Sequence, residues 1–76
     1  MNTDHLVHMA NRIGEFFEAM PDHAEALEGI ANHIRKFWAP RMRVELGEHL
    51  ERTHGEGLLP IVKEALNSHS GVLKAH

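Results

Sequence analysis

The side chains from which a metal site or an acid–base pair would have to be built are eight histidines and eleven carboxylates, in a chain of 76 residues. His5 and His8 stand three apart, so a helix would put them on one face, but no third ligand accompanies them. Glu48-His49 lacks the second histidine of the HExxH zinc-hydrolase pattern. His49 and His54 are five apart, with a helix end expected between them. Ser68 and Ser70 bracket His69 in an expected tail too mobile to hold a catalytic triad. There is no P-loop, no GxGxxG and no GxSxG. The absence of cysteine excludes disulfides, thiolate metal sites and cysteine catalysis. The plain reading is solvated surface histidine, with no catalytic, cofactor-binding or metal-binding residue. A helical core this small also leaves little volume for a catalytic pocket. The chain is therefore not expected to be an enzyme on its own.

One stretch concentrates chemistry of another kind, that of recognition. Gly29-Ile30-Ala31-Asn32-His33-Ile34-Arg35-Lys36-Phe37-Trp38-Ala39-Pro40-Arg41-Met42-Arg43 holds the only Trp and four of the eight basic residues, with no acid among them. Elsewhere acids and bases are interleaved. Pro40 lacks an N–H and biases Ala39 toward extended geometry. One helix should therefore end near Trp38, and Pro40 can open the next as its first residue. The corner would present Trp38, Arg41 and Arg43 together, and Trp and Arg are enriched at interface hot spots. A Trp at such a corner can equally be a core plug, or can bury one face and offer an edge outward. Arg35 and Lys36 have a bland reading too, because they complement the carbonyl end of a helix dipole. The candidate partner-binding residues are Trp38, Pro40, Arg41, Arg43, Arg35 and Lys36. Arg41 and Arg43 are roughly 200° apart on a regular helix. One of them should be structural, and Arg43 is expected to be the outward one.

The elements that must hold this corner are four amphipathic helices. Thr3 or Asp4 can cap the first. Leu6, Met9, Ile13, Phe16, Phe17 and Met20 form its apolar stripe, with Asn11, Arg12, Glu15 and Glu18 opposite. Gly14 in this helix either permits close approach of a neighbour or is simply tolerated. Pro21 stops it. Asp22 and Glu25 resemble a capping box, and Leu27, Ile30, Ala31, Ile34, Phe37 and Trp38 stripe the second helix. The third runs from Pro40 to about Thr53, with Met42, Leu46, His49 or Leu50, and Thr53 on its weaker apolar face and Glu45, Glu48 and Glu51 toward solvent. His54-Gly55-Glu56-Gly57 ends it. Pro60 starts the fourth, faced by Leu58, Val62, Ala65 and Leu66 with Ile61 to one side. The residues from about 67 to 76, ending Val72-Leu73-Lys74-Ala75-His76, are expected to fray unless a partner holds them. No segment alternates like a strand, so the fold class is all-α, a small bundle of four short helices in a single domain, residues 1–76.

So small a domain buries only about 60% of the surface its unfolded chain exposes. It is marginal alone and a natural client of a partner. No apolar run approaches the roughly 18 residues of a membrane span. The first residues also lack a signal peptide's positive charge and apolar block, so the expectation is a cytoplasmic protein without membrane contact. Formal charge is −3 with histidine neutral, and acidification below about pH 6 would reverse its sign. The residues alone leave two function classes, a protein–protein module using the Trp38–Arg43 corner and a small helical binder of nucleic acid. The acidic balance and the glutamates of the third helix favour the protein module over nucleic acid.

Three blocks carry a family resemblance: Leu6-Val7-His8-Met9-Ala10-Asn11-Arg12-Ile13 with Phe16-Phe17, the stretch Gly29 to Arg43, and Gly57-Leu58 with Pro60-Ile61-Val62. The middle block, aromatic-Trp-x-Pro-Arg-Met-Arg directly after a helix, is the specific one. Together they resemble the delta subunit of bacterial NAD-dependent formate dehydrogenase, the soluble molybdenum- or tungsten-containing type, over about Leu6 to Leu66. Leu59 departs from it, standing where the family often has a polar capping residue. The resemblance implies an accessory subunit that binds the large (alpha) subunit of a cytoplasmic complex and aids assembly, stability or cofactor insertion. It also implies that the bis-molybdopterin guanine dinucleotide, iron–sulfur clusters, FMN and NAD site belong to other subunits, with no cofactor in this chain. Homo-oligomerisation in isolation stays open.

Overall fold

A computed structural model describes residues 2–73. Four α-helices run in order: α1 (Thr3–Glu18), α2 (His23–Phe37), α3 (Pro40–Thr53) and α4 (Pro60–Ser68), followed by a 3-10 turn, Ser70–Leu73. Among the described residues there is no strand, and the fold is the expected all-α bundle. α2 lies centrally, packed on α1, on α4 and on the 3-10 turn.

The helix starts follow from local chemistry. Asn2, one residue earlier than the caps expected, closes α1 by accepting the Asp4 N–H on its side chain at 2.8 Å. Asp22 Oδ1 accepts the Glu25 N–H at 3.0 Å, the Asp half of the capping box. α3 and α4 each open on a proline at their first position, after Ala39 and Leu59 in extended geometry. Neither has a side-chain cap, so the polar residue missing at Leu59 does not prevent α4 from starting at Pro60. α3 closes on His54 in the left-handed region (φ 59°, ψ 28°), and the turn continues through Gly55 and Gly57.

The core is filled by Leu6, Ile30, Ile34, Leu46, Val62 and Leu66, all fully buried. Burying each such side chain stabilises by about 1.5–3 kcal/mol. Gly14 is buried against α4, where a Cβ would come within 2.5 Å of Val62 Cγ2. This glycine therefore permits the close approach rather than being merely tolerated. Ile61, expected to one side, is also buried.

Two aromatics assigned to the apolar stripes lie outside the core. Phe16 is 73% and Phe37 72% exposed. In each pair of consecutive residues one ring takes the inward place. Phe17 packs against the core while Phe16 meets it edge-on, with centroids 5.1 Å apart. Trp38 is buried while Phe37 is displaced to the flank. On the 100° steps of a helix, Phe17 falls near the centre of the buried stripe of α1 and Phe16 well outside it, and Trp38 falls nearer than Phe37 to the centre of the stripe of α2.

The tail expectation also changes. Val72 is buried in the core cluster and Leu73 packs against it, so the chain through Leu73 is part of the bundle. Lys74, Ala75 and His76 lie outside the described residues.

Candidate interaction surface

The corner forms where the sequence places it. Trp38 caps α2 in extended geometry, its N–H donating to the Ile34 carbonyl at 3.0 Å. Ala39 continues extended, and Pro40 starts α3. The six candidate residues separate by exposure: Arg35, Lys36, Pro40 and Arg41 are exposed, Arg43 is half-buried, and Trp38 retains only 5% exposure. Trp38 is therefore the plug that fixes the corner from inside, and the outward aromatic beside it is Phe37.

The expected roles of the two arginines are reversed. Arg41 is exposed. Arg43 turns inward, and its Nη1 donates to the Val72 carbonyl at 3.3 Å. Its Nε is buried with no hydrogen-bond partner among the described residues. The reason is the 3-10 turn, which was expected to be loose. It packs against α3 and supplies a carbonyl that Arg43 can reach and Arg41 does not.

The charges of the corner also divide between two sides of α2. Arg35 lines a shallow cleft with His69, Gly71 and Val72, and its Nη2 donates to Asn32 Oδ1 at 2.7 Å. On the other side, α1, the last turns of α2 and the start of α3 form an open groove of about 430 Å³. Met9, Ile13, Phe37, Trp38 and Met42 form its floor and walls, with His8, Arg12 and His33 around them. The His33 and Phe37 rings lie one turn apart with centroids at 4.7 Å and planes tilted by 40°. Arg12 also meets Glu15 on the next turn, at 4.0 Å between two largely exposed side chains. Such a pair is worth little in water and leaves Arg12 able to engage a partner. The groove was not foreseen, because its apolar residues come from stripes assigned wholly to the core.

A second open groove, about 550 Å³, lies between α3, α4 and the 3-10 turn and carries Glu48, Glu51 and His54. The two grooves differ in sign: acids rim this one, and no carboxylate lines the first.

The histidines divide as well. His49 is buried, and its Nε2 lies 2.7 Å from the Glu56 carbonyl, fastening the α3–α4 turn. Thr53 Oγ1 donates to the His49 carbonyl at 2.8 Å and accepts the Glu56 N–H at 2.9 Å. His23 Nε2 meets Glu64 Oε1 at 2.9 Å on the surface, joining α2 to α4. Among the described residues, no group of three or more His, Cys, Asp or Glu is placed to hold a metal ion. No described helix is long and apolar enough to cross a membrane.

A protein-family model described as "NADH-dependant formate dehydrogenase delta subunit FdsD" matches residues 5–66. No curated protein and no solved structure matches the chain.

Proposed function

Because the chain belongs to the family of NADH-dependent formate dehydrogenase delta subunits, we propose that it is a non-catalytic accessory subunit that binds the large catalytic subunit and assists assembly, stability or cofactor insertion. The observation that carries this reading is Phe37, 72% exposed on the last turn of α2 and flanked in sequence by exposed Lys36. A small domain that leaves a large aromatic in water next to its cations offers a surface that a partner can bury. Lys36, Pro40 and Arg41 are the candidate residues at that surface, with Arg35 toward its far side. Trp38 and Arg43 hold its shape from within. The redox cofactors are then carried by other subunits, a reading supported by the absence of cysteine in this chain. A cytoplasmic location goes with it. The net charge of −3 favours protein over nucleic acid as the partner.

The test is co-purification. A tagged copy expressed in its host should bring down the large formate dehydrogenase subunit, and deletion of the chain should lower the yield or cofactor content of the assembled enzyme. If the tagged chain purifies alone and the deletion leaves both yield and cofactor content intact, the reading fails.

A further inference from the structure

We infer that the groove formed by α1, the last turns of α2 and the start of α3 is the seat for an acidic amphipathic helix of the partner. The inference rests on the accessory-subunit reading and assigns its docking surface. Three observations support it.

The first is chemistry. The groove offers an apolar bed of Met9, Ile13, Phe37 and Met42, with an edge of Trp38. Methionine is unbranched and adapts to the side chain laid on it. Phe37 is the anchor because it is already largely exposed and loses little internal packing on binding.

The second is charge. His8, Arg12 and His33 surround the bed and no carboxylate lines it, although the chain as a whole is net acidic. With histidine counted neutral, Arg12 is the formal charge among the lining residues, and the exposed cations Lys36 and Arg41 stand next in sequence to Phe37 and Met42. A local field opposite to the global one selects a partner carrying acids beside its apolar residues. It also disfavours a symmetric pair of these chains, since a two-fold contact through this groove would bring Arg12 and its neighbours against themselves.

The third is backbone. Both long walls are helices, whose interior N–H and C=O groups are already paired. An extended segment would gain no backbone partner here and would leave its own unpaired. A helix satisfies its own backbone and needs only side-chain contact, the helix-in-groove mode.

The test uses formate dehydrogenase purified from cells lacking this chain, titrated with labelled wild-type chain and variants. Phe37→Asp and Arg12→Glu should each weaken binding at least tenfold while leaving the melting temperature near wild type, and affinity should fall as salt rises. Glu51→Lys, in the other groove, should bind as wild type. A photo-crosslinking residue at His8 should capture a segment with apolar residues at helical spacing flanked by Asp or Glu. If wild type binds but both groove variants match it, or the captured segment is basic, the groove assignment is overturned while the accessory-subunit reading stands. If wild type does not bind at all, both fall. Self-association that the groove variants abolish would give the groove to a second copy. Single-stranded DNA binding tighter than binding to the enzyme would give it to nucleic acid. Either result overturns the inference.

Discussion

Asn11 Oδ1 accepts the Leu59 N–H at 2.9 Å, across 48 positions of sequence. The same side chain donates through Nδ2 to the Gly57 carbonyl, also at 2.9 Å. One amide thus grips the backbone on both sides of Leu58 just ahead of α4, a helix with no side-chain cap of its own. Asn11 was assigned to the solvent face of α1, and it is half-buried instead.

Asn11→Ala should lower stability by about 1–2 kcal/mol, because both backbone groups lose a partner. In a domain of this size that is roughly 4–8 °C of melting temperature per kcal/mol. Asn11→Asp keeps the acceptor for the Leu59 N–H but sets a carboxylate oxygen against the Gly57 carbonyl, so it too should melt below wild type. Thermal melts of the three proteins check both. If Asn11→Ala melts with wild type, the grip contributes nothing.

The inward turn of Arg43 gives a second prediction. Arg43→Glu should destabilise, since it removes the bond to the Val72 carbonyl and sets a carboxylate near that oxygen. Arg41→Glu, on an exposed residue, should change stability by no more than about 0.5 kcal/mol. Urea unfolding of the two variants decides it. Equal midpoints would mean that Arg43 does not tie α3 to the end of the chain.

The contrast between these arginines marks how far the sequence could be read. Spacing and proline placed α2, the corner and α3, because these are set within one or two turns of chain. It also required that Arg41 and Arg43 point apart. Which one turned inward depended on the 3-10 turn, whose position is set by Val72 reaching the core from far along the chain. The bonds made by Asn11 and His49 were missed for the same reason, although His49 was one of the two residues placed on the apolar face of α3 and is buried there. Their partners, Leu59 and Glu56, lie across a turn whose path no local pattern fixes. Phe37 had a usable signal. With Leu27, Ile30, Ala31 and Ile34 setting the stripe, steps of 100° put Trp38 about 30° from its centre and Phe37 about 70° away, past Ile30, so Phe37 was the one to expect outward.

Two glycines should resist substitution despite the helix propensity that alanine would add. A Cβ at Gly29 would overlap the ring of Phe17, and one at Gly14 would press on Val62 Cγ2. Overpacking costs about 1–3 kcal/mol, against about 1 kcal/mol gained in propensity. Both variants should therefore melt at or below wild type. The sharper measurement is a double-mutant cycle, because Gly14→Ala with Val62→Ala should cost less than the two changes summed. Strict additivity would mean that α1 and α4 do not meet at this point.

The adjacent aromatics of the corner should behave in opposite ways. Trp38 is 5% and Phe37 72% exposed, although they are consecutive at the end of the same helix and both lie within the residues that the family model matches. Trp38→Ala would leave a large cavity among buried side chains, and such truncations cost about 3–5 kcal/mol. A chain of this length is stabilised by only roughly 4–11 kcal/mol at typical values per residue. Trp38→Ala should therefore lose much of its cooperative unfolding transition, while Trp38→Phe, which keeps a ring in place, should retain it. Phe37→Ala removes a ring that is mostly in water and should shift stability by no more than about 0.5 kcal/mol. The sole tryptophan reports on the second comparison directly. In Phe37→Ala its emission should stay that of a buried indole and should redden only at the unfolding midpoint. If Phe37→Ala unfolds as readily as Trp38→Ala, Phe37 is a core residue, and the outward anchor of this surface must be sought on α1, at Phe16.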